Sequence, residues 1–264
     1  MKKMNPIGNF RRQVVYELNF LAPIAIIRKT MADTIKDRVL TIPRFERVPW
    51  LIHGFGTAGW SEEDFGKAGK RCGFRLVILA QVHSDTVHRL DGAPARRPQG
   101  DALITGRPGL FLTIKTADCL PALIVDEERR VIAAVHCGWR GTLKRILERV
   151  VRDLRERDGS DPSKLLVALG PCIGPGCYEV GPEVRAAFEE AGFPPGVLRE
   201  RISTPGKYLL DLREANRGQL DRAGVKRENV FSFDACTHCR SDLLSYRRDK
   251  AKKKRMFAFI GMKG

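Results

Sequence analysis

Six short apolar runs, each bounded by turn-forming or polar residues, constrain the fold of this chain more than any other feature of its sequence. Runs of about four to eight apolar residues between turn signals are typical of buried β-strands. We therefore predict strands over residues 76–82, 110–116, 120–125, 131–135, 165–169 and 256–260. No apolar stretch approaches the ~20 residues that a membrane-spanning helix requires, so we expect no membrane span.

Three further segments have the periodicity of amphipathic helices. The first helix has Thr142 as its predicted N-cap. Its apolar residues lie three and four positions apart, at Leu143, Ile146, Leu147, Val150, Val151 and Leu154. A second helix is predicted from Pro182 to near Gly192, and a third from about Asp211 to the position before Gly224. Because strands occur in adjacent runs as well as between helices, the order of elements predicts an α+β fold.

The chain has 264 residues, 43% of them hydrophobic and 30% charged, which suits one soluble domain with a buried core. We predict that this domain covers residues 39–264. Residues 1–38 are predicted to form a poorly structured extension. Glu17, Asn19 and Pro23 interrupt its weakly apolar stretch and Arg28-Lys29 follow it, which argues against a signal peptide. Seven cysteines, an odd number spread along the chain, favour reduced thiols and a cytoplasmic location. We expect a monomer.

The formal net charge of +16 would attract anionic ligands. Seven basic residues crowd together between Arg247 and Arg255. This cluster predicts either a patch that binds phosphate or nucleic acid, or a solvated hairpin tip. No RNA-binding motif with interleaved aromatic residues accompanies it, so nucleic acid is not the expected partner.

Potential metal ligands stand at the ends of the predicted strands. His83 closes the first strand, Cys119 lies in the break between the second and third, and His136 ends the fourth. Zinc prefers imidazole nitrogen and thiolate sulfur, and a catalytic zinc has three protein ligands and an open fourth position. Their wide spacing is unlike that of a zinc finger. Spacing alone therefore leaves two interpretations, a zinc site or hydrogen-bonded structural residues.

Seven motifs occur in order between about residues 50 and 260: Gln81-Val82-His83, Asp101-Ala102-Leu103, Thr116-Ala117-Asp118-Cys119-Leu120-Pro121, His136-Cys137-Gly138-Trp139-Arg140-Gly141, Gly170-Pro171-Cys172-Ile173-Gly174-Pro175, Tyr178-Glu179-Val180-Gly181 and Ser245-Tyr246-Arg247-Arg248-Asp249. This ordered set resembles the signature of the YfiH family. The family is also called the laccase-domain, polyphenol oxidase or peptidoglycan-editing-factor family.

The resemblance implies a single α+β domain of packed mixed β-sheets flanked by helices. It also implies that His83, Cys119 and His136 bind zinc. The implied reactions are phosphorolysis of adenosine, inosine and S-methyl-5'-thioadenosine, and deamination of adenosine. Purine nucleosides and phosphate are then the expected small-molecule partners.

Three rival functions accompany this interpretation. A His-Cys-His set can also bind copper, and an older view of the family is copper-dependent oxidation of phenols. Five histidines are too few for a trinuclear copper cluster plus a blue-copper site. The second rival is a non-catalytic basic protein with a structural zinc that binds nucleic acid. The third is editing of peptidoglycan precursors, which no residue here specifies.

The chain departs from the family pattern at two positions. Cys137 stands where alanine is usual, and we interpret it as a small core residue. Ala58 stands where an arginine is expected. If that arginine normally holds phosphate, another cation must replace it here, or phosphorolysis is weakened.

Other residues have both functional and structural interpretations. Asp118 could orient a ligand or accept a proton, and Arg140 could hold an anionic substrate, or the two could form a structural ion pair. The segment that includes Gly170, Cys172 and Gly174 could cradle phosphate or ribose, or form a tight connection.

Cys236-Thr237-His238-Cys239 could be half of a structural zinc site or a redox pair. Cys172 and Cys177 provide a poor second half, which favours ordinary free thiols.

Overall fold

The apolar runs form the centre of the structure, a computed structural model that describes residues 39–59, 62–71, 73–250 and 254–263. Its strands are β1 (Val39–Leu40), β2 (Leu51–Gly56), β3 (Arg75–Ile78), β4 (Val87–Arg89), β5 (Ala102–Thr105), β6 (Leu110–Thr116), β7 (Leu120–Asp126), β8 (Val131–Cys137), β9 (Leu166–Leu169), β10 (Glu179–Val180), β11 (Leu198–Glu200), β12 (Tyr208–Leu210), β13 (Val230–Ser232) and β14 (Met256–Met262). The predicted N-terminal extension, residues 1–38, lies outside the described residues.

Helices connect these strands. They are α1 (Pro43–Glu46), α2 (Glu62–Arg71), α3 (Trp139–Leu143), α4 (Ile146–Asp158), α5 (Pro182–Glu190), α6 (Leu212–Arg222) and α7 (Tyr246–Asp249), with short 3-10 turns at Pro162–Lys164, Pro195–Val197 and Arg227–Asn229. The helices predicted after Pro182 and Asp211 are confirmed, and the Asp211 side chain caps α6 by accepting the N–H of Glu214.

The described strands form two sheets of mixed direction and one small antiparallel sheet. A five-stranded sheet has the order β1-β2-β14-β6-β3, and a six-stranded sheet has the order β13-β9-β7-β8-β5-β4. A small sheet has the order β10-β12-β11. The expected α+β fold of packed mixed sheets with flanking helices is confirmed.

Two hydrophobic cores lie on opposite faces of the six-stranded sheet. On β7, Leu123 and Val125 join the core shared with the five-stranded sheet, whereas Ala122 and Ile124 join the core beneath helices α4 and α6. Because both faces are covered, every residue of β7 is buried. This explains why the run is continuously apolar instead of alternating.

The first predicted strand is too long. The pairing of β3 ends at Ile78, and the chain beyond it makes one isolated bridge, between Ala80 and Gln99. The next backbone N–H groups, at Val82, His83 and Ser84, turn to the carboxylate of Asp101 instead of a strand partner: they lie 3.4, 3.1 and 2.6 Å from its oxygens. A side-chain acceptor therefore ends this strand.

The Thr142 N-cap prediction is wrong. Gly138 precedes α3, and Arg145, with φ 63°, breaks the helical stretch before α4 begins at Ile146. Thr142 is buried within α3, where its hydroxyl accepts the Asn216 amide and its carbonyl accepts the Gln219 amide. Contacts with α6 have replaced the expected capping contact.

No described helix is long and apolar enough to cross a membrane.

Candidate metal centre

Three side chains that are far apart in sequence converge at one end of the six-stranded sheet. The potential ligand atoms of His83, Cys119 and His136 all lie within 4.8 Å of one another. The Cys119 Sγ is 4.0 Å from the His83 Nε2, and the centroids of the two imidazole rings are 4.9 Å apart. The donors thus share one small volume, as ligands of a single ion must.

Strand register explains how two of these residues meet. Strands β7 and β8 pair Leu120 with Cys137, so that Cys119 lies beside the end of β8, which carries His136. The turn before Cys119 passes through Asp118, whose φ is 88°. A positive φ is uncommon for a residue other than glycine, and such strain is concentrated at functional sites.

Asp101 holds the other parts of the centre in place. This fully buried carboxylate accepts hydrogen bonds from the His136 Nδ1 at 2.7 Å, the His83 N–H at 3.1 Å and the Ser84 hydroxyl at 2.8 Å. Because Nδ1 is engaged in this bond, Nε2 is the His136 nitrogen that can coordinate a metal ion. A carboxylate behind a histidine ligand orients the ring and increases its basicity.

Gly138 allows the three donors to approach closely. A Cβ at this position would lie 3.0 Å from the His83 Cδ2 and 3.2 Å from the Cys119 Sγ. A larger residue would therefore push the donors apart.

The charges of the cluster support one another. Burial alone raises the pKa of Cys119, but the adjacent His136 and His83 outweigh it and lower the pKa to about 6. Burial lowers the pKa of His136, whereas Cys119 and Asp101 raise it to about 9. For Asp101, burial raises the pKa, but hydrogen bonds from His136 and Ser84 lower it to about 2. Cys119 is thus stabilised as the thiolate, which is the form that binds metal.

This donor set fits a metal ion. Two imidazoles and one thiolate are the ligands that zinc prefers, and three protein ligands leave a fourth position for water or substrate. His83 is exposed whereas His136 is buried, so one side of the centre faces solvent. The same set can hold a single copper ion.

The three remaining histidines are engaged elsewhere in the fold. The His53 Nε2 accepts the Ile42 N–H at 2.8 Å, and the His88 Nε2 lies 2.8 Å from the Gln99 carbonyl oxygen. His238 lies in the turn between two cysteines. Only two of the five histidines in the chain remain for this centre, which is too few for a multicopper cluster.

The metal centre opens into a cleft of about 900 Å³ that is rich in cations and aromatic rings. Its basic lining residues are Arg97, Lys115, Arg140, Arg247 and Arg255. Three of these arginines lie over aromatic rings that also line the cleft. The distance from the arginine Cζ to the ring centroid is 4.7 Å for Arg140 and Trp139, 5.5 Å for Arg247 and Tyr178, and 5.8 Å for Arg255 and Tyr246. Such a surface can stack on a flat heterocycle and bind an anion.

The structure places Asp118 and Arg140 on the wall of this cleft, where they make different contacts. The Asp118 carboxylate accepts the Thr237 hydroxyl at 2.5 Å and the Arg247 N–H at 2.7 Å, so it fixes the backbone around the cleft. Arg140 is exposed, lies over the Trp139 ring and lines the cleft.

Gly170, Cys172 and Gly174 are not among the residues that line the cleft, although Ile173 is. The Gly170 N–H donates to the Pro121 carbonyl at 2.8 Å, and the Gly174 N–H donates to the Cys236 Sγ at 3.1 Å. Because both N–H groups have partners within the protein, these contacts support the tight connection over the phosphate cradle.

The arginines of the basic cluster serve the fold as well as the cleft. Arg248 donates to four backbone carbonyls, those of Thr237, His238, Arg240 and Leu243. Arg247 donates to the Glu179 carbonyl and, like Arg255, lines the cleft. These contacts argue against a purely solvated tip and against a surface dedicated to nucleic acid.

Sequence reasoning missed the role of Asp101, which we quoted within a motif without assigning it a function. Its one local signal is a carboxylate directly before a buried strand, at Ala102. Trp139 and Tyr178 were also quoted only as motif residues, because stacking partners cannot be recognised before the cleft is known.

The chain is similar to known proteins in both sequence and structure. Residues 63–263 match a family model described as multi-copper polyphenol oxidoreductase laccase. The chain is 39% identical over 197 residues to purine nucleoside phosphorylase YlmD of Geobacillus stearothermophilus, covering 71% of this chain and 72% of that one. It is 38% identical over 173 residues to adenosine deaminase RL5 of an unknown prokaryotic organism, covering 62% and 66%. The crystal structure of Bacillus licheniformis YfiH superposes with a TM-score of 0.78 at 28% identity, covering 86% of this chain and 97% of that one.

Proposed function

Because this chain belongs to the laccase-domain family that includes YfiH and YlmD, we propose that it is a zinc-dependent purine nucleoside enzyme. Its reactions would be phosphorolysis of adenosine, inosine and S-methyl-5'-thioadenosine, and deamination of adenosine. His83, Cys119 and His136 would hold the zinc. Relatives named purine nucleoside phosphorylase and adenosine deaminase support both reactions.

One observation carries the proposal: the His-Cys-His cluster lies in the wall of a cleft lined by five cationic side chains. A cationic cleft next to a metal suits a substrate pair of which one member is phosphate. Multicopper oxidation of phenols would need more histidines than this centre has.

Individual side chains around the metal centre and the cleft have different proposed roles. Held by His83, Cys119 and His136, zinc would supply a Lewis acid. Asp101 orients the His136 ring by its hydrogen bond to Nδ1. We assign Arg140 to phosphate binding, because its planar fork matches phosphate oxygens and it reaches the cleft. Asp118 is a positioning residue that keeps the Arg247 backbone on the cleft wall.

The aromatic rings suit the nucleoside. Trp139 and Tyr178 line the cleft, and each has an arginine over its ring. A purine base can stack on such rings, and aromatic contacts of this kind contribute about 0.5–1.5 kcal/mol beyond burial.

The two reactions make different demands on the cleft. In phosphorolysis a phosphate oxygen bonds to the anomeric carbon of ribose while the bond to the purine nitrogen breaks, and the purine leaves with the electron pair and gains a proton. Cations near the phosphate balance its charge in that step. In deamination water replaces the amine at C6 of adenosine and ammonia leaves, without any need for phosphate.

The test is a product assay on metal-defined protein with adenosine, inosine or S-methyl-5'-thioadenosine, with and without phosphate. We expect free base and a ribose phosphate when phosphate is present, and inosine from adenosine when it is absent. The variant Arg140→Ala should raise the KM for phosphate by about ten- to a hundredfold, because a charge-assisted hydrogen bond is lost, and should leave deamination nearly unchanged.

Arg157→Ala is the matched control, since this side chain on α4 is 66% exposed and is absent from the cleft lining. Failure of all three nucleosides to turn over under both conditions would refute the proposed function. Equal phosphate KM values in wild type and Arg140→Ala would refute the assignment of Arg140.

A further inference from the structure

A second cluster of potential ligands lies apart from the cleft. The sulfurs of Cys177, Cys236 and Cys239 all lie within 4.8 Å of one another, and those of Cys177 and Cys239 are 3.4 Å apart. None of the three residues lines the cleft. The fold has therefore brought a third thiol to the C-x-x-C pair, 62 residues away from Cys239 along the chain.

The C-x-x-C segment forms a tight turn that directs backbone N–H groups toward sulfur. The N–H groups of Cys239 and Arg240 donate to the Cys236 carbonyl at 3.2 and 3.1 Å. The Cys236 Sγ accepts the Gly174 N–H at 3.1 Å and also interacts with the N–H groups of His238 and Cys239. Backbone donors around a sulfur stabilise its negative charge.

A second turn carries Cys177 to the same place. The Cys177 N–H donates to the Gly174 carbonyl at 2.9 Å, and Thr237 donates to the Cys172 carbonyl at 3.0 Å, which ties the two turns together. Gly174 is the point of closest approach: a Cβ there would lie 3.2 Å from both the Cβ and the Sγ of Cys236. The absence of a side chain at Gly174 thus lets the sulfurs converge.

Arg248 closes the outer side of the C-x-x-C turn. Its Nη1 donates to the carbonyls of Thr237, His238 and Arg240 at 2.9, 3.0 and 3.0 Å. These three hydrogen bonds fix the backbone of the turn. A ligand set that is already ordered loses little conformational entropy when it binds an ion.

Three thiolates in one small volume repel one another, and a bound cation would compensate their charge.

We propose that Cys177, Cys236 and Cys239 form a second zinc site, separate from the His83, Cys119 and His136 centre. Zinc favours thiolate ligands in tetrahedral geometry. Cys239 is exposed, so the fourth position faces solvent and is open to water or a further thiolate. Binding releases the three thiol protons and forms three Zn–S bonds, with no change in oxidation state.

A disulfide between Cys177 and Cys239 is the competing outcome. It would require an oxidant to remove two electrons and two protons, and it would leave Cys236 unused. The donors gathered around Cys236, the sulfur that such a disulfide would omit, favour the metal.

The experiment measures zinc per chain by elemental analysis on full-length protein purified under reducing conditions without chelator. We expect about two zinc ions in wild type and about one in each of Cys119→Ala and Cys239→Ser, because each variant removes one ligand from a different site. Their combination should hold almost none. Ser241→Ala, an exposed change in the same loop, is the matched control and should keep both ions.

Nucleoside turnover separates this inference from the proposed function. Cys239→Ser should lose one zinc and keep turnover, whereas Cys119→Ala should lose turnover and keep the other zinc. Equal zinc contents in wild type and Cys239→Ser would overturn the second site. So would mass spectrometry of alkylated, unreduced protein that shows a Cys177–Cys239 disulfide in place of bound metal.

Discussion

Replacing Asp101 by asparagine should weaken zinc binding at the His83, Cys119 and His136 centre without removing any ligand. One carboxylate oxygen lies 2.7 Å from the His136 Nδ1 and 3.1 Å from the His83 N–H, and the other lies 2.6 Å from the Ser84 N–H. Asparagine has one acceptor oxygen, so in either orientation its NH₂ group faces another N–H donor, either the His136 ring or the Ser84 backbone. Leaving such a donor without an acceptor costs about 1–3 kcal/mol.

That cost lowers folding stability, whereas the loss of the carboxylate behind His136 should lower zinc affinity by about ten- to a hundredfold, the range usual for partners of metal-binding histidines. Competition with a chromophoric chelator measures the affinity, and thermal denaturation with and without chelator shows whether the chain still folds. Asp91→Asn is the control, because the Asp91 side chain is 91% exposed and should not affect metal binding. A zinc affinity in Asp101→Asn equal to that of wild type would show that the carboxylate does not support the metal centre.

Two further predictions concern other parts of the chain. Burial lowers the pKa of His53 to about 4, and its ring accepts the Ile42 N–H, so the neutral form is the folded form. Stability present above pH 6.5 should therefore decrease by roughly 3 kcal/mol as the pH falls toward 4. Urea denaturation should show this extra slope in wild type but not in His53→Gln, and equal slopes would contradict it. Ala58→Arg should restore the cation expected from the family pattern and lower the KM for phosphate by about tenfold or more, with deamination unchanged. An unaltered KM for phosphate would show that a cation at position 58 does not contribute to phosphate binding.

The elements that sequence patterns predicted best are those whose pattern is local. The strand predicted over 110–116 coincides with β6, and α6 begins after its capping Asp211 as expected. The errors arose where a distant side chain competes for the backbone. The Asp101 carboxylate accepts backbone N–H groups beyond β3, so this strand is shorter than predicted. A side chain of α6 donates to the Thr142 hydroxyl, so Thr142 does not cap a helix.

For the candidate metal centre, too, the sequence identified some of the residues and not others. The order of motifs identified His83, Cys119 and His136 as candidate ligands, because each belongs to a recognisable segment at a strand end. The carboxylate that orients His136 could not be assigned, since the pairing of β5 with β8 decides which residue lies behind that ring.

The sequence by itself therefore determined most of the apolar runs, the limits of α5 and α6, and the residue types of the first candidate metal centre. Only the tertiary structure decided which side chains share a volume. Cys236 and Cys239 resembled ordinary free thiols because the third sulfur, on Cys177, is remote in sequence. A parallel bridge between Cys172 and Cys236 brings the two turns together. Residue pattern records local preference, whereas convergence depends on strand pairing and packing between segments far apart in the chain.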